Sequence, residues 1–235
     1  MARRRRQPRP SRPRDVSAIL RAAGDRLNSV RRAQIVRLGS AAVPALIPLL
    51  ADPTGLTADP AKRTVALHAL DVLAELADPH AVSCVLDVAW HVNDDVDLRV
   101  AAVQALHAMG GGALEPALAL QMSSSQPEET LFIVTWITTG LGVKDRRVLE
   151  LGTELLKTAP RAAAAALGTY GDPAALPALS TSLDAHHLPV TKGAGPASTI
   201  VDLGRAIGAL GGTLRADQRL KILVAGELLE GRLAS

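Results

Sequence analysis

Apolar positions recur along this chain with helical spacing, and they do so in tandem. The stretch Arg146–Lys157 sets the type. Val148, Leu149, Leu151, Leu155 and Leu156 fall on one face, and Arg146, Arg147, Glu150, Thr153, Glu154 and Lys157 fall on the other. After Asp78, Val82, Val85, Leu86 and Ala89 form an apolar stripe opposed by Ser83, Asp87 and His91, with Trp90 at the boundary. The stretch Thr130–Leu141 is apolar nearly all round, so it should lie between neighbours. Ser125–Glu128 ahead of it reads as a capping box. Helical patterns close repeatedly on a small residue, at Gly39, Ala77, Gly110, Gly142, Gly171 and Gly211. Glycine suits the left-handed position that ends a helix. Six closures spaced roughly 30–40 residues apart point to helix pairs stacked in file. Leu38, Leu76, Met109, Leu141 and Leu210, each just before a closure, are the expected core, and Trp136 is expected to join them. The longer links, Asp52–Ala61, His91–Asp97, Ser123–Pro127 and Ala185–Ser198, fall between successive pairs and would line one edge of the stack.

Composition agrees with helices. Of 235 residues, 48% are hydrophobic but only 2% aromatic, against what a sandwich or barrel uses to fill its strands. The single Cys84 excludes an internal disulfide and a cysteine-based zinc site, and a reducing cytoplasm is the expected location. The apolar run Ala41–Ala51, 11 residues with two prolines, falls short of the about 18 a membrane span needs. No apolar segment follows Arg3–Arg6, so a signal peptide is not expected.

Charge divides the chain. The net +3 comes from residues 1–14, which hold Arg3, Arg4, Arg5, Arg6, Arg9, Arg12 and Arg14 and no acid. Residues 15–235 carry 19 basic against 23 acidic side chains, a net −4. Pro8, Pro10 and Pro13 oppose a helix there. Residues 1–14 therefore read as a disordered arm suited to nucleic acid or an acidic protein surface, and residues 15–235 as one solenoid domain. No aromatic residue interleaves the arginines, so base stacking is unsupported.

Several segments resemble HEAT repeats, in particular the short HEAT-like kind of phycobilin lyases. Asp172–Leu179 and Asp78–Val82 are similar to that family's turn and second-helix start. Asp95–Leu106 resembles its first helix, and Asp59–Ala66 repeats the Asp–(three residues)–Arg spacing. The resemblance covers roughly 28–225 and is clearest over 96–122. It implies an all-α fold, an α-solenoid of about six HEAT-like helix pairs, whose second helices line a concave surface. On that surface the candidate partner-binding residues are Asp87, Trp90, His91, Asp94, Arg147, Glu150 and Glu154. The links would add an edge with Asn93, Asp95, Asp97, His186, His187 and Lys192.

Catalytic patterns are sparse. Glu150 and Glu154 share a helical face but read as a solvated charge stripe. His186–His187 lack a clear third ligand nearby. Lys192–Pro196 has its glycines after the lysine, unlike a phosphate loop. Asn93–Asp97 lacks the glycine and glutamate of a calcium loop. Cys84 has no local base. None of the six histidines precedes a glutamate, unlike the iron ligands of the HEAT-like deoxyhypusine hydroxylases. The expected function is a non-catalytic scaffold that binds another protein, with no cofactor and no metal. A nucleic-acid-associated protein is the alternative, and a HEAT-like enzyme of the bilin-lyase or DNA-glycosylase type ranks below it.

Overall fold

In the computed structural model, residues 16–24, 27–92, 94–188 and 194–231 are described. The arginine arm and the expectation of its disorder lie outside them, as do Asn93 and Lys192. The described residues form helices and no strand. They group into two compact units, Met1–Pro116 and Ala117–Ser235.

The first unit contains α1 (Val16–Arg21), α2 (Ser29–Val36), α3 (Val43–Leu46), α4 (Pro53–Ala58), α5 (Pro60–Leu76), α6 (Val82–His91) and α7 (Val96–Met109). Helix α8 (Leu114–Ser123) carries the division between units. The second contains α9 (Pro127–Thr139), α10 (Arg146–Thr158), α11 (Pro160–Tyr170), α12 (Leu176–Ala185), α13 (Ala194–Ala209) and α14 (Ala216–Leu229). The first helix of each pair stacks on the next, α5 on α7 in one unit and α9 on α11 on α13 in the other, and α10 packs on α12. This is the expected all-α solenoid of helix pairs.

Local chemistry explains where helices start. Asp-Pro steps recur at Asp52, Asp59, Asp78 and Asp172. In each, the carboxylate accepts from a backbone N–H one turn on, and the proline takes a position whose N–H has no intrahelical partner. Asp95 and Asp145 cap α7 and α10 in the same way, accepting from Leu98 N at 3.1 Å and Arg147 N at 2.8 Å. Asp78 carries more: bonds from Ser40, and then from the His80 backbone and ring, hold its carboxyl well down, from the ordinary 3.8 to about 2.

All six closures take positive φ, from 49° at Ala77 to 75° at Gly211. Each ends the first helix of a pair and lets the chain turn back into the second. Ala77 is the one non-glycine among described residues in this region, where its Cβ crowds the backbone. Ala77→Gly is therefore expected to stabilise the fold by about 0.5–1 kcal/mol, read as a rise in the urea midpoint at unchanged slope. No gain would mean that the unfolded-state entropy of glycine offsets the relief.

Leu70, Leu73, Leu98 and Leu106 are fully buried in the first unit, and Leu155, Leu167, Leu179 and Leu203 are buried in the second. Met109, Leu141 and Leu210 are buried as expected, but Leu38 and Leu76 are only half-buried. Two links are shorter than expected. Asp52 starts α4 inside the first, and α13 begins at Ala194, four residues ahead of Ser198. The Ser125 capping box is absent. Helix α9 begins after Gln126, and it is the Ser124 hydroxyl that accepts from Gln126 N at 3.0 Å and lies 2.5 Å from Thr130 Oγ1.

Candidate interaction surfaces

In the first unit α6 buries Val82, Val85, Leu86, Val88 and Ala89 and exposes Ser83, Asp87 and His91, as its apolar period requires. Trp90 is half-buried beside them. The His91 ring shares a hydrogen bond with the Asp87 carbonyl, Nδ1 to O 3.0 Å, which orients the imidazole along its own helix. Asp94 is exposed just beyond. Asp95 and Asp97 serve the fold instead. Arg63 of α5 spans to both, its NH2 nitrogen 3.0 Å from Asp95 Oδ1 and 2.7 Å from Asp97 Oδ2, while its Nε also donates to Asp95. That guanidinium, the largest cause, holds the Asp95 carboxyl below the usual carboxylate range. The arginine of one pair thus ties to the cap of the next. The matching Arg99 turns elsewhere, donating from Nε to the Val92 carbonyl at 3.0 Å, at the C-terminal end of α6.

In the second unit the outer face of α10 is exposed at Arg147, Glu150 and Glu154, and each group has a local partner. Arg147 folds back on Asp145, NH2 to Oδ2 2.8 Å. Arg146 pairs with Glu150 at 2.8 Å, and Lys157 with Glu154 at 2.5 Å. Exposed pairs of this kind contribute only about 0.3–0.5 kcal/mol each, so they leave the face available to a partner. His186 Nδ1 lies 2.7 Å from the Ser182 carbonyl, and His187 is exposed. No group of three His, Cys, Asp or Glu side chains among the described residues could hold a metal ion. Burial, then the Asp87 charge, pushes the Cys84 thiol up to about 11, and its Sγ lies 3.5 Å from the Ile47 carbonyl. It stays protonated at neutral pH, the state of an unreactive thiol.

A further feature was not legible in the pattern. Trp136, expected in the core, is half-buried. It lies against Phe132, with ring centroids 6.2 Å apart and planes tilted by 50°. Thr130, Thr135, Thr138 and Thr139 are buried in its place. Three of these hydroxyls bond within the helix: Thr138 to Val134 O at 2.8 Å, Thr139 to Thr135 O at 2.7 Å and Thr130 to Gln126 O at 2.6 Å. Satisfied in this way, these three enter the packed side together with Thr135, whose buried hydroxyl has no hydrogen-bond partner among the described residues, and the two rings take the open stripe that begins at Glu129. The i, i+4 spacing of Phe132 and Trp136 was the only available signal.

Two open cavities complete the surface. One, of about 800 Å³, lies in the first unit over Pro48, Leu49, Leu56 and Val65, with Arg21 and Lys62 on its lining. The other, of about 730 Å³, lies between α11 and α13. It is floored by alanines and edged by Asp202, which is held by Arg161 and Arg205 at 2.8 Å each.

Helix pairs stacked one upon the next, closed by positive-φ turns and opened by aspartate caps, define a helical-repeat protein. Residues 159–185, which span α11 and α12, match the family model described as PBS lyase HEAT-like repeat. The chain thus carries a HEAT-like repeat of that type. The match falls on the pair with the Asp172 turn rather than on 96–122, where the resemblance had looked clearest. Neither the comparison with curated proteins nor that with solved structures gives a match. No described helix is long and apolar enough to cross a membrane.

Proposed function

We propose that this protein is a non-catalytic helical-repeat scaffold that binds another protein. One observation carries the reading: the chain has four aromatic side chains, and three of them stand at the surface. Tyr170 is buried, whereas Trp90 and Trp136 are half-buried and Phe132 is exposed at 37%. The core is built from leucine, valine and alanine. Tryptophan and other large rings left partly in solvent suit the anchors of protein interfaces. Around Trp90, Asp87, His91 and Asp94 supply a polar rim, and Arg147, Glu150 and Glu154 offer a second charged face in the other unit.

Trp90→Ala and Trp136→Ala are expected to reduce partner capture at least roughly tenfold, from loss of an anchor worth about 2 kcal/mol, while lowering the melting temperature little. Capture is read by affinity purification and mass spectrometry beside thermal unfolding of each variant. Unchanged capture with a large melting loss would make the rings packing elements and overturn the reading.

The seven arginines in residues 1–14 favour a second reading, in which the arm attaches the scaffold to nucleic acid. Duplex DNA and RNA binding that falls steeply with salt, and vanishes without residues 1–14, would support it. Equal binding with and without the arm would remove it.

A further inference from the structure

The side of helix α14 that meets α12 is polar at Gln218 and Lys221, with the half-exposed N-cap residue Arg215 beside them. The Gln218 side chain, 1% exposed, donates to Ser180 Oγ at 3.0 Å and Asp184 Oδ1 at 2.9 Å, and accepts from Arg215 N at 3.1 Å. Arg215 donates to Asp184 Oδ1 at 2.6 Å. Lys221 Nζ caps the end of α12 through the carbonyls of Leu183, Asp184 and His186, at 2.9–3.2 Å. Ile222, which lies over Gly204, and Ala225 give this side apolar contact. The outward side carries the leucines: Leu220 and Leu223 are each 61% exposed. A helix at the open face of a repeat stack ordinarily shows water a polar surface. An exposed leucine pair on such a helix marks a contact surface.

The residues around that pair say what fits. Arg219 and Glu227 lie four positions before and after Leu223 on the same stripe, and Leu220 and Gly226 lie three before and after. A Cβ added at Gly226 would meet nothing within 4 Å, so this helix-weakening glycine makes room for no group of its own chain. If α14 is laid antiparallel on a copy of itself with the two-fold axis at Leu223, every position finds its complement. Leu223 meets Leu223 on the axis, and on either side of it Leu220 enters the space over Gly226 and Arg219 faces Glu227, these two twice over. A self-complementary patch of this form is what a two-fold interface requires. We infer that a second copy of this chain docks on the outer face of α14, antiparallel, to form a two-fold dimer. One helix face per protomer is a small interface, so the dimer exchanges with monomer as concentration changes.

Sedimentation of the full chain over a concentration series tests this. The wild-type mass is expected to rise from one chain to two. Leu223→Glu puts two like charges on the axis and is expected to hold the single-chain mass throughout, with an unchanged melting temperature. Arg219→Glu is expected to weaken the dimer several-fold, and Arg219→Glu combined with Glu227→Arg to restore it, because the charges trade places across the axis. Should Leu223→Glu melt early, the charge exchange decides. A wild-type chain that stays single at every concentration overturns the inference and leaves the leucines to a different partner. A dimer that ignores Leu223→Glu, or one that the exchanged charges fail to recover, overturns it as well.

Discussion

Cutting Leu167 back to alanine is expected to lower the unfolding free energy by about 2–5 kcal/mol, the range for opening a cavity in a closed core. Leu167 is fully buried on α11, in the cluster that joins α9 to α14. Its side chain fills the notch left by Gly152 on α10. A Cβ built at Gly152 would stand 2.5 Å from Leu167 Cδ2 and 3.0 Å from Cγ. Gly152→Ala therefore sets two effects against each other. Better helix propensity contributes about 1 kcal/mol, and the forced contact costs about 1–3 kcal/mol, so a net loss is expected. In the Leu167→Ala background the contact is gone, and the same change should stabilise. The two substitutions should thus couple by about 1–3 kcal/mol in a double-mutant cycle of denaturant unfolding. Simple additivity would show that α10 and α11 move apart easily and that the notch is not a fixed part of the packing.

Asp95→Ala is expected to cost about 2–3 kcal/mol. It removes the cap of α7, about 1 kcal/mol, and leaves Arg63 with Asp97 alone. The charge-assisted share is kept small because the Arg63 side chain is 32% exposed and partly screened. Asp95→Asn retains an acceptor for Leu98 N and loses the ion pair, so it should cost less than Asp95→Ala by about 1 kcal/mol, the worth of the cap. The pH dependence follows from the sign of the shift. The folded Asp95 carboxyl lies below its ordinary 3.8, so its contribution is complete above that pH and is lost as acid protonates the folded group further down. Acid unfolding followed by circular dichroism should show a shallower limb in Asp95→Asn. Parallel limbs in the two proteins would remove Asp95 from the acid response.

Much of the frame was legible because it is written in local chemistry. An aspartate ahead of a proline starts a helix, a small residue in the left-handed region ends one, and both leave a mark that needs no knowledge of the neighbours. The apolar faces of α6 and α10 were legible for the same reason, since a single apolar stripe has one way to face the core, although Val88 is buried as well and Leu149 and Leu151 are only half-buried. Arg63 shows the limit. Its spacing from Asp59 repeats that of Arg99 from Asp95, yet the two arginines make different contacts, the one to the next cap and the other to the preceding helix end. Both partners come from another helix, and no periodicity within one helix names them.

By itself, then, the sequence determined the tandem helix pairs and the residues that close them, because backbone hydrogen bonding and capping are satisfied within a few residues. Tertiary structure alone decided which side of a helix faces out when several sides are apolar. In α9 Thr130, Thr138 and Thr139 satisfy their hydroxyls on backbone carbonyls and go inward with Thr135, which leaves Phe132 and Trp136 outside. In α14 Gln218 and Lys221 find partners on α12, and Leu220 and Leu223 are left to water. Helical period fixes which residues share a stripe, but the choice among stripes depends on what the facing helix offers.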